Sequence, residues 1–255
     1  MSYLGVHVVG RGIVFVDLAL GQISMLGVAV AEYIEQDPTV VSIGFTLVGA
    51  LLLSFLKVSD DRLKLEAVIG IFYAFASALT VLLISKSAHG DSDISEVLFG
   101  SFFTVTDEQI LYTAIVFGLI LLIHLVFRER FFALTDKYRK GNTADVKAFD
   151  PWNLLFYMTL GLTIVLAVRI GGVIPVFSFL VVPAVCGILM VRARRRVIAV
   201  AIAVAVLGSF FGIYFSVSFD FPAGSSVVAI LGSIFLASAA ARFFLSHPVR
   251  RFLRK

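Results

Sequence analysis

The chain has 255 residues, 60% of them hydrophobic, with a mean hydropathy of +1.02 and a formal net charge of +4. Soluble domains are nearer half apolar, so an ordinary globular fold is excluded. A single cysteine, Cys186, excludes an intrachain disulfide and a Cys/His zinc motif, and is read as a small buried apolar residue.

The apolar excess is distributed as a series of long runs. Roughly 20 apolar residues cross about 30 Å of hydrocarbon, and lipid offers no partner to a backbone polar group, so each run must be a helix. Spans are read at about 12–33, 39–57, 65–86, 110–128, 152–170, 173–191, 197–218 and 226–245. The first contains FVDLALGQISMLG, in which Asp17 and Gln22 interrupt the apolar pattern. An intramembrane carboxylate is a functional candidate by default; its alternative here is snorkelling to the cytoplasmic side near Arg11. Gln22 either lines a pathway or makes an interhelical hydrogen bond. Five residues turn a regular helix through about 500°, which leaves the two side chains some 140° apart. Bringing them to one face requires a kink, for which Gly21 is the available residue. Glu32 and Glu35 are read as interface anchors at the outer end of this span.

After the third span comes the segment KSAHGDSDISEVLFGSFFTVTDEQ, residues 86–109. Its centre, EVLFGSFF, is too short to span and is expected as a short helix or re-entrant turn on the outer side. His89, Asp91 and Asp93 form an acidic mouth that would attract cations, or a plain solvated loop. His124, near the inner end of the fourth span, is read as structural. The next connection, RERFFALTDKYRKGNTADVKAFDP over 128–151, mixes aromatic and charged residues. Thr135 and Asp136 read as a helix N-cap and Gly141 as its C-terminal stop, giving a short amphipathic helix at the membrane surface. Phe131 and Phe132 are expected as an exposed apolar pair, and hence a docking surface; a solvated connector is the alternative. Arg169, beside a Gly-Gly pair, either closes an external turn or pairs with an external acid. GSFFG, 208–212, is a small-xxx-small pattern that lets helices approach closely.

Lys and Arg set the orientation. With the C-terminal SHPVRRFLRK in the cytoplasm, alternation across eight spans places RARRR, the 128–151 loop, KVSDDRLK and Arg11 on the same side. Of the 21 basic residues only Lys86 and Arg169 then fall outside. Both termini are therefore expected in the cytoplasm. The positive charge is topological and does not point to nucleic acid. There is no GxxxxGK[ST] loop, HExxH or GxSxG motif in the sequence, so the chain is not expected to hydrolyse ATP itself or to act as an enzyme.

Five blocks in order carry a family resemblance: YLGVHVVGRGIVFVDLALGQISMLGVAVA, LEAVIGIFYAFASALTVLLIS, EVLFGSFFTVTDEQI, RIGGVIPVFSFLVVPAVCGILM and FDFPAGSSVVAILGSIF. Together they resemble the metal-type ABC transporter permeases, the membrane subunits of zinc, manganese and iron importers. The resemblance covers nearly the whole chain and implies an all-α, polytopic helical bundle of the type II ABC importer kind, with residues 1–255 forming one transmembrane permease domain. It further implies a homodimer in a bacterial inner membrane, a separate cytoplasmic ATP-binding subunit that consumes ATP, an external metal-binding protein, and a divalent metal as substrate, with no cofactor bound by this chain. The segment containing Phe131, Phe132, Asp136 and Gly141 falls where the family places its coupling helix. Pro183 matches an intramembrane proline, and Asp220, Pro222 and Gly224 a late external turn.

Two departures accompany the resemblance. The family carries one more apolar helix ahead of the LGVHVVGR position, so either the coding sequence extends in frame upstream of Met1 or that helix is absent. The family's second helix reads Asp-Ala-Leu-Ser-His; aligned through Arg11 and Gly27, its histidine position is Gln22 and its aspartate position is Leu18. This departure weakens the carry-over of the metal-ligand role: the alignment implies Gln22, a neutral oxygen donor, as the ligand candidate, with an interhelical hydrogen bond as its alternative, and Asp17 nearer the cytoplasmic exit. Two other classes stay open: an ion-coupled secondary transporter, and a membrane scaffold that transports nothing.

Overall fold

The computed structural model describes residues 1–56, 62–85, 105–139 and 150–246. In chain order these form α1 (Ser2–Arg11), α2 (Val16–Tyr33), α3 (Pro38–Phe55), α4 (Leu65–Ile84), α5 (Asp107–Val126), α6 (Arg128–Arg139), α7 (Pro151–Gly171), α8 (Val173–Met190), α9 (Arg194–Phe219) and α10 (Ala223–Ser246). Among the described residues eight helices, α2 to α5 and α7 to α10, are long and apolar enough to cross a membrane. They coincide with the eight expected spans.

The boundaries follow local chemistry. Asp37 and Asp150 each precede a proline. The Asp37 carboxylate accepts from the Thr39 and Val40 N–H groups at 2.6 and 3.2 Å, and Asp150 accepts from Trp152 and Asn153 at 2.9 and 3.4 Å. An Asp N-cap followed by proline satisfies free N–H groups and pre-sets the first helical turn. Thr106 and Gln109 close a reciprocal capping box on α5, which therefore starts at Asp107, three residues before the expected 110. The first span also starts later than expected, at Val16. Gly12 has φ +68, a left-handed conformation that ends α1 after Arg11 and sets the chain up for α2. Replacing Asp150 by alanine is expected to cost about 1 kcal/mol, seen as a lower melting temperature of the detergent-solubilised protein with its helical content unchanged.

The chain divides into two compact units, Gly10–Phe177 and Met1–Val9 with Ser178–Lys255. In the first, α2 is the centre. It is buried on most of its circumference, including Val16, Leu20, Gly21, Ser24, Gly27 and Ala31, with α3, α4 and α7 packed around it. Small residues allow the approach: a Cβ on Gly27 would lie 2.7 Å from the Ser42 Cα of α3. The outer helices α4 and α5 expose Ile71, Phe75 and Leu82, and Leu111, Ile115 and Leu119, the surface that hydrocarbon would cover.

In the second unit α9 packs on α10 through the GSFFG glycines. Gly208 faces Leu231, and a Cβ on Gly212 would lie 2.6 Å from the Val227 Cα, so the small-xxx-small reading holds. Cys186 of α8 sits in a core with Val204, Val227 and Leu231, the buried apolar role expected of it. Pro183 lies inside α8, and Asp220 ends α9 with φ +57.

Candidate functional site

The polar residues of interest in the first unit lie in two places, along α2 and around α6. On α2 both Asp17 and Gln22 are buried, at 2% and 4% exposure. The buried position of Asp17 sets aside snorkelling. One carboxylate oxygen accepts from the Leu18 N–H at 2.8 Å and the other has no hydrogen-bond partner among the described residues. Gln22 makes no hydrogen bond to another described residue. The helix is continuous from Val16 to Tyr33 through Gly21. Gly21 serves close packing: its vacant Cβ position is 3.3 Å from Val173 Cγ1. Asp17 and Gln22 consequently point to different sectors of a helix surrounded by protein. Among the described residues no group of three or more His, Cys, Asp or Glu converges on a point. Asp17 and Gln22 are thus two separate buried oxygen-bearing groups on α2.

The segment around α6 differs from expectation in two respects. The helix begins at Arg128, one residue after α5, rather than near Thr135. The Arg130 and Phe131 N–H groups bond back to the Phe127 carbonyl, so the chain turns at Phe127 and continues helical. Thr135 is thus an interior residue whose hydroxyl donates to the Phe131 carbonyl at 2.9 Å, and Asp136 pairs with Arg139 at 3.1 Å. Nor are Phe131 and Phe132 an exposed pair, since they are 0% and 7% exposed. Phe131, Phe132, Leu134 and Thr135 form the inner face of a short amphipathic helix, and the tight turn at Phe127 folds that face back onto α5 and α7. The Phe131 ring stacks on His124 with centroids 4.1 Å apart and meets Trp152 and Phe156 edge-on or tilted. His124 is fully buried with Nε2 2.9 Å from Thr159 Oγ1, the structural role expected. The outward face carries Arg128, Glu129, Arg130, Ala133, Lys137 and Arg139, all exposed. His89, Asp91, Asp93, the EVLFGSFF centre and Gly141 lie outside the described residues.

Sequence reasoning missed what holds α6 in place. Arg11, treated there only as a topological charge, is 5% exposed. Its Nε donates to Thr135 Oγ1 and its Nη1 to Asn153 Oδ1, each at 3.2 Å. The guanidinium lies 3.6 Å from the centroid of the Phe156 ring and 5.6 Å from that of Tyr138. Asn153 passes the connection on, its Nδ2 donating to the Ser54 carbonyl near the end of α3 at 3.0 Å. The one available signal was the Gly-Arg-Gly triplet between two apolar helices: a cation with small neighbours on either side can be drawn in where a bulkier surround would hold it off.

At the opposite end of α3, the Val40 and Thr39 N–H groups hold the Asp37 carboxyl below the usual carboxylate range, and the charge of Arg169 adds to this.

Comparison with known proteins gives concordant matches. A family model described as the ABC 3 transport family matches residues 1–242. The manganese import system permease protein ScaB of Streptococcus gordonii is 25% identical over 252 residues, covering 99% of this chain and 88% of that protein. The high-affinity zinc uptake system membrane protein ZnuB of Haemophilus influenzae is 23% identical, covering 92% of this chain and 89% of its own length. Among solved structures, PsaBC from Streptococcus pneumoniae in complex with Fab aligns with a TM-score of 0.76 at 25% identity, over 98% of this chain and 88% of that one.

Proposed function

The chain belongs to the ABC 3 transport family, and from that premise we propose that it is the membrane-spanning permease subunit of an ABC importer for a divalent metal ion. The observation that carries this is the family match across residues 1–242, on a chain with eight helices long and apolar enough to cross a membrane among its described residues. A partner ATP-binding subunit supplies the energy, and an external metal-binding protein delivers the ion. The working unit is a homodimer in a bacterial inner membrane, with residues 1–255 of each copy forming one permease domain and both termini cytoplasmic. The relatives named for manganese and for zinc leave two metals to choose between. The donors on α2 are oxygens, Asp17 and Gln22, which suit manganese better than zinc, a metal that prefers nitrogen and sulfur. His89, Asp91 and Asp93 gather cations at the outer mouth.

Alternating access is driven at α6. Its buried face, Phe131 and Phe132, anchors the helix to the permease. Its charged face, with Asp136 and Lys137, meets the ATP-binding subunit, and Gly141 ends the coupling segment. The test is uptake of manganese and zinc into vesicles holding the permease with its ATP-binding subunit and binding protein. ATP-dependent uptake, with manganese preferred, is expected. Uptake that follows an ion gradient and ignores ATP would overturn the reading in favour of a secondary transporter, and no uptake of either metal would favour a scaffold.

A further inference from the structure

The coupling reading leaves open how displacement of a short surface helix is felt at the polar residues of α2. We propose, resting on that reading, that Arg11 is the positioning residue through which α6 moves α2.

Arg11 holds α6 through Thr135 and α7 through Asn153, and reaches α3 through the Asn153 amide. The backbone is seated against α6 as well: a Cβ on Gly10 would lie 2.8 Å from Thr135 Cγ2. A rigid shift of α6 therefore acts on the Gly10–Arg11 backbone directly. On the other side of Arg11 the chain passes through Gly12, at φ +68, and enters α2 at Val16. Asp17 is six positions on from Arg11. Gly12 supplies a pivot, and Ile13, 1% exposed, keeps the connection packed rather than loose. Displacement at Thr135 is in this way delivered to the first turn of α2, where Asp17 lies.

The chemistry suits a joint more than a brace. Arginine presents its donors in a planar fork, so one side chain grips two helices at once, which the single ammonium of lysine does not reproduce. The ring of Phe156 under the guanidinium adds a cation–π contact. One donor nitrogen, Nη2, has no hydrogen-bond partner among the described residues. A buried cation left partly unsatisfied is not the arrangement that stability alone favours, since apolar residues of similar volume commonly hold a fold at least as well. The unmatched donor leaves the guanidinium able to exchange acceptors as α6 shifts.

The experiment compares wild type, Arg11→Lys, Thr135→Ala and Thr135→Ser in vesicles containing the complete complex, measuring metal taken up per ATP hydrolysed with manganese as the probe. Arg11→Lys is expected to lower that ratio about tenfold, within the range of coupling free energies between sites. Thr135→Ala, which removes one acceptor, should lower it severalfold, and Thr135→Ser, which keeps the oxygen, should restore it. A bracing role would change the amount of assembled complex and leave the ratio alone. Wild-type uptake together with unchanged ratios in Arg11→Lys and Thr135→Ala overturns this proposal alone. Absence of ATP-driven uptake by wild type overturns the transport reading, and this proposal with it. Should Arg11→Lys fail to assemble, the Thr135 pair decides by the same ratio.

Discussion

Gln22→Leu is expected to reduce ATP-driven uptake of manganese and zinc to background while leaving the amount of folded permease unchanged. The side chain is buried in the central helix and bonded to no other described residue. Interhelical hydrogen bonds in membranes average only about 0.6 kcal/mol in any case, and leucine is similar in volume, so the fold should lose less than about 1 kcal/mol. What leucine removes is a neutral oxygen donor, suited to passing a cation on. Asp17→Asn keeps shape and removes charge, and is expected to slow uptake with the same folded yield, because a carboxylate in the bundle attracts the cation where an amide does so weakly. Gln22→His adds a nitrogen donor and should shift the preference toward zinc. The measurement is uptake of both metals in the assembled complex alongside the melting temperature of each variant. Normal transport of both metals by Gln22→Leu would make Gln22 a packing residue and place the path elsewhere.

Phe131→Ala should destabilise by about 3–5 kcal/mol, the range for truncating a buried aromatic ring. The ring is fully buried, stacked on His124 and surrounded by Trp152 and Phe156. Its loss removes the anchor of α6, so binding of the ATP-binding subunit should fall as a consequence. Lys137→Glu provides the contrast. Lys137 is exposed on the outward face, so its reversal should weaken partner binding with little change in melting temperature. Melting of the permease alone and co-purification with the ATP-binding subunit separate the two effects. A Phe131→Ala protein that melts like wild type but no longer binds its partner would mean that the ring works at the interface after all.

Resemblance had pointed to this segment as the coupling element, and its residues were legible in the sequence. Which face they presented was not. Phe131 and Phe132 read as an exposed pair because the chain around them is highly charged. The fold bury them because α6 starts immediately after α5, and that start depends on the backbone turn at Phe127. Thr135 likewise looked like a cap from its place before Asp136, whereas its position inside a helix already under way gives its hydroxyl the Phe131 carbonyl instead.

By itself the sequence determined the membrane class and the number of spans. Hydrocarbon demands long apolar helices whatever packs against them, and that demand is written residue by residue. The structure places the helix starts by local chemistry as well, at the Asp-Pro pairs 37–38 and 150–151 and the Thr106–Gln109 box. Only the tertiary structure decided that α2 is the enclosed helix, that Gly21 packs closely against Val173, and that Arg11 reaches Thr135 and Asn153. These pairs are separated by more than a hundred positions in the chain. The reach of a guanidinium between helices depends on their approach, which periodicity and composition within any one segment do not specify.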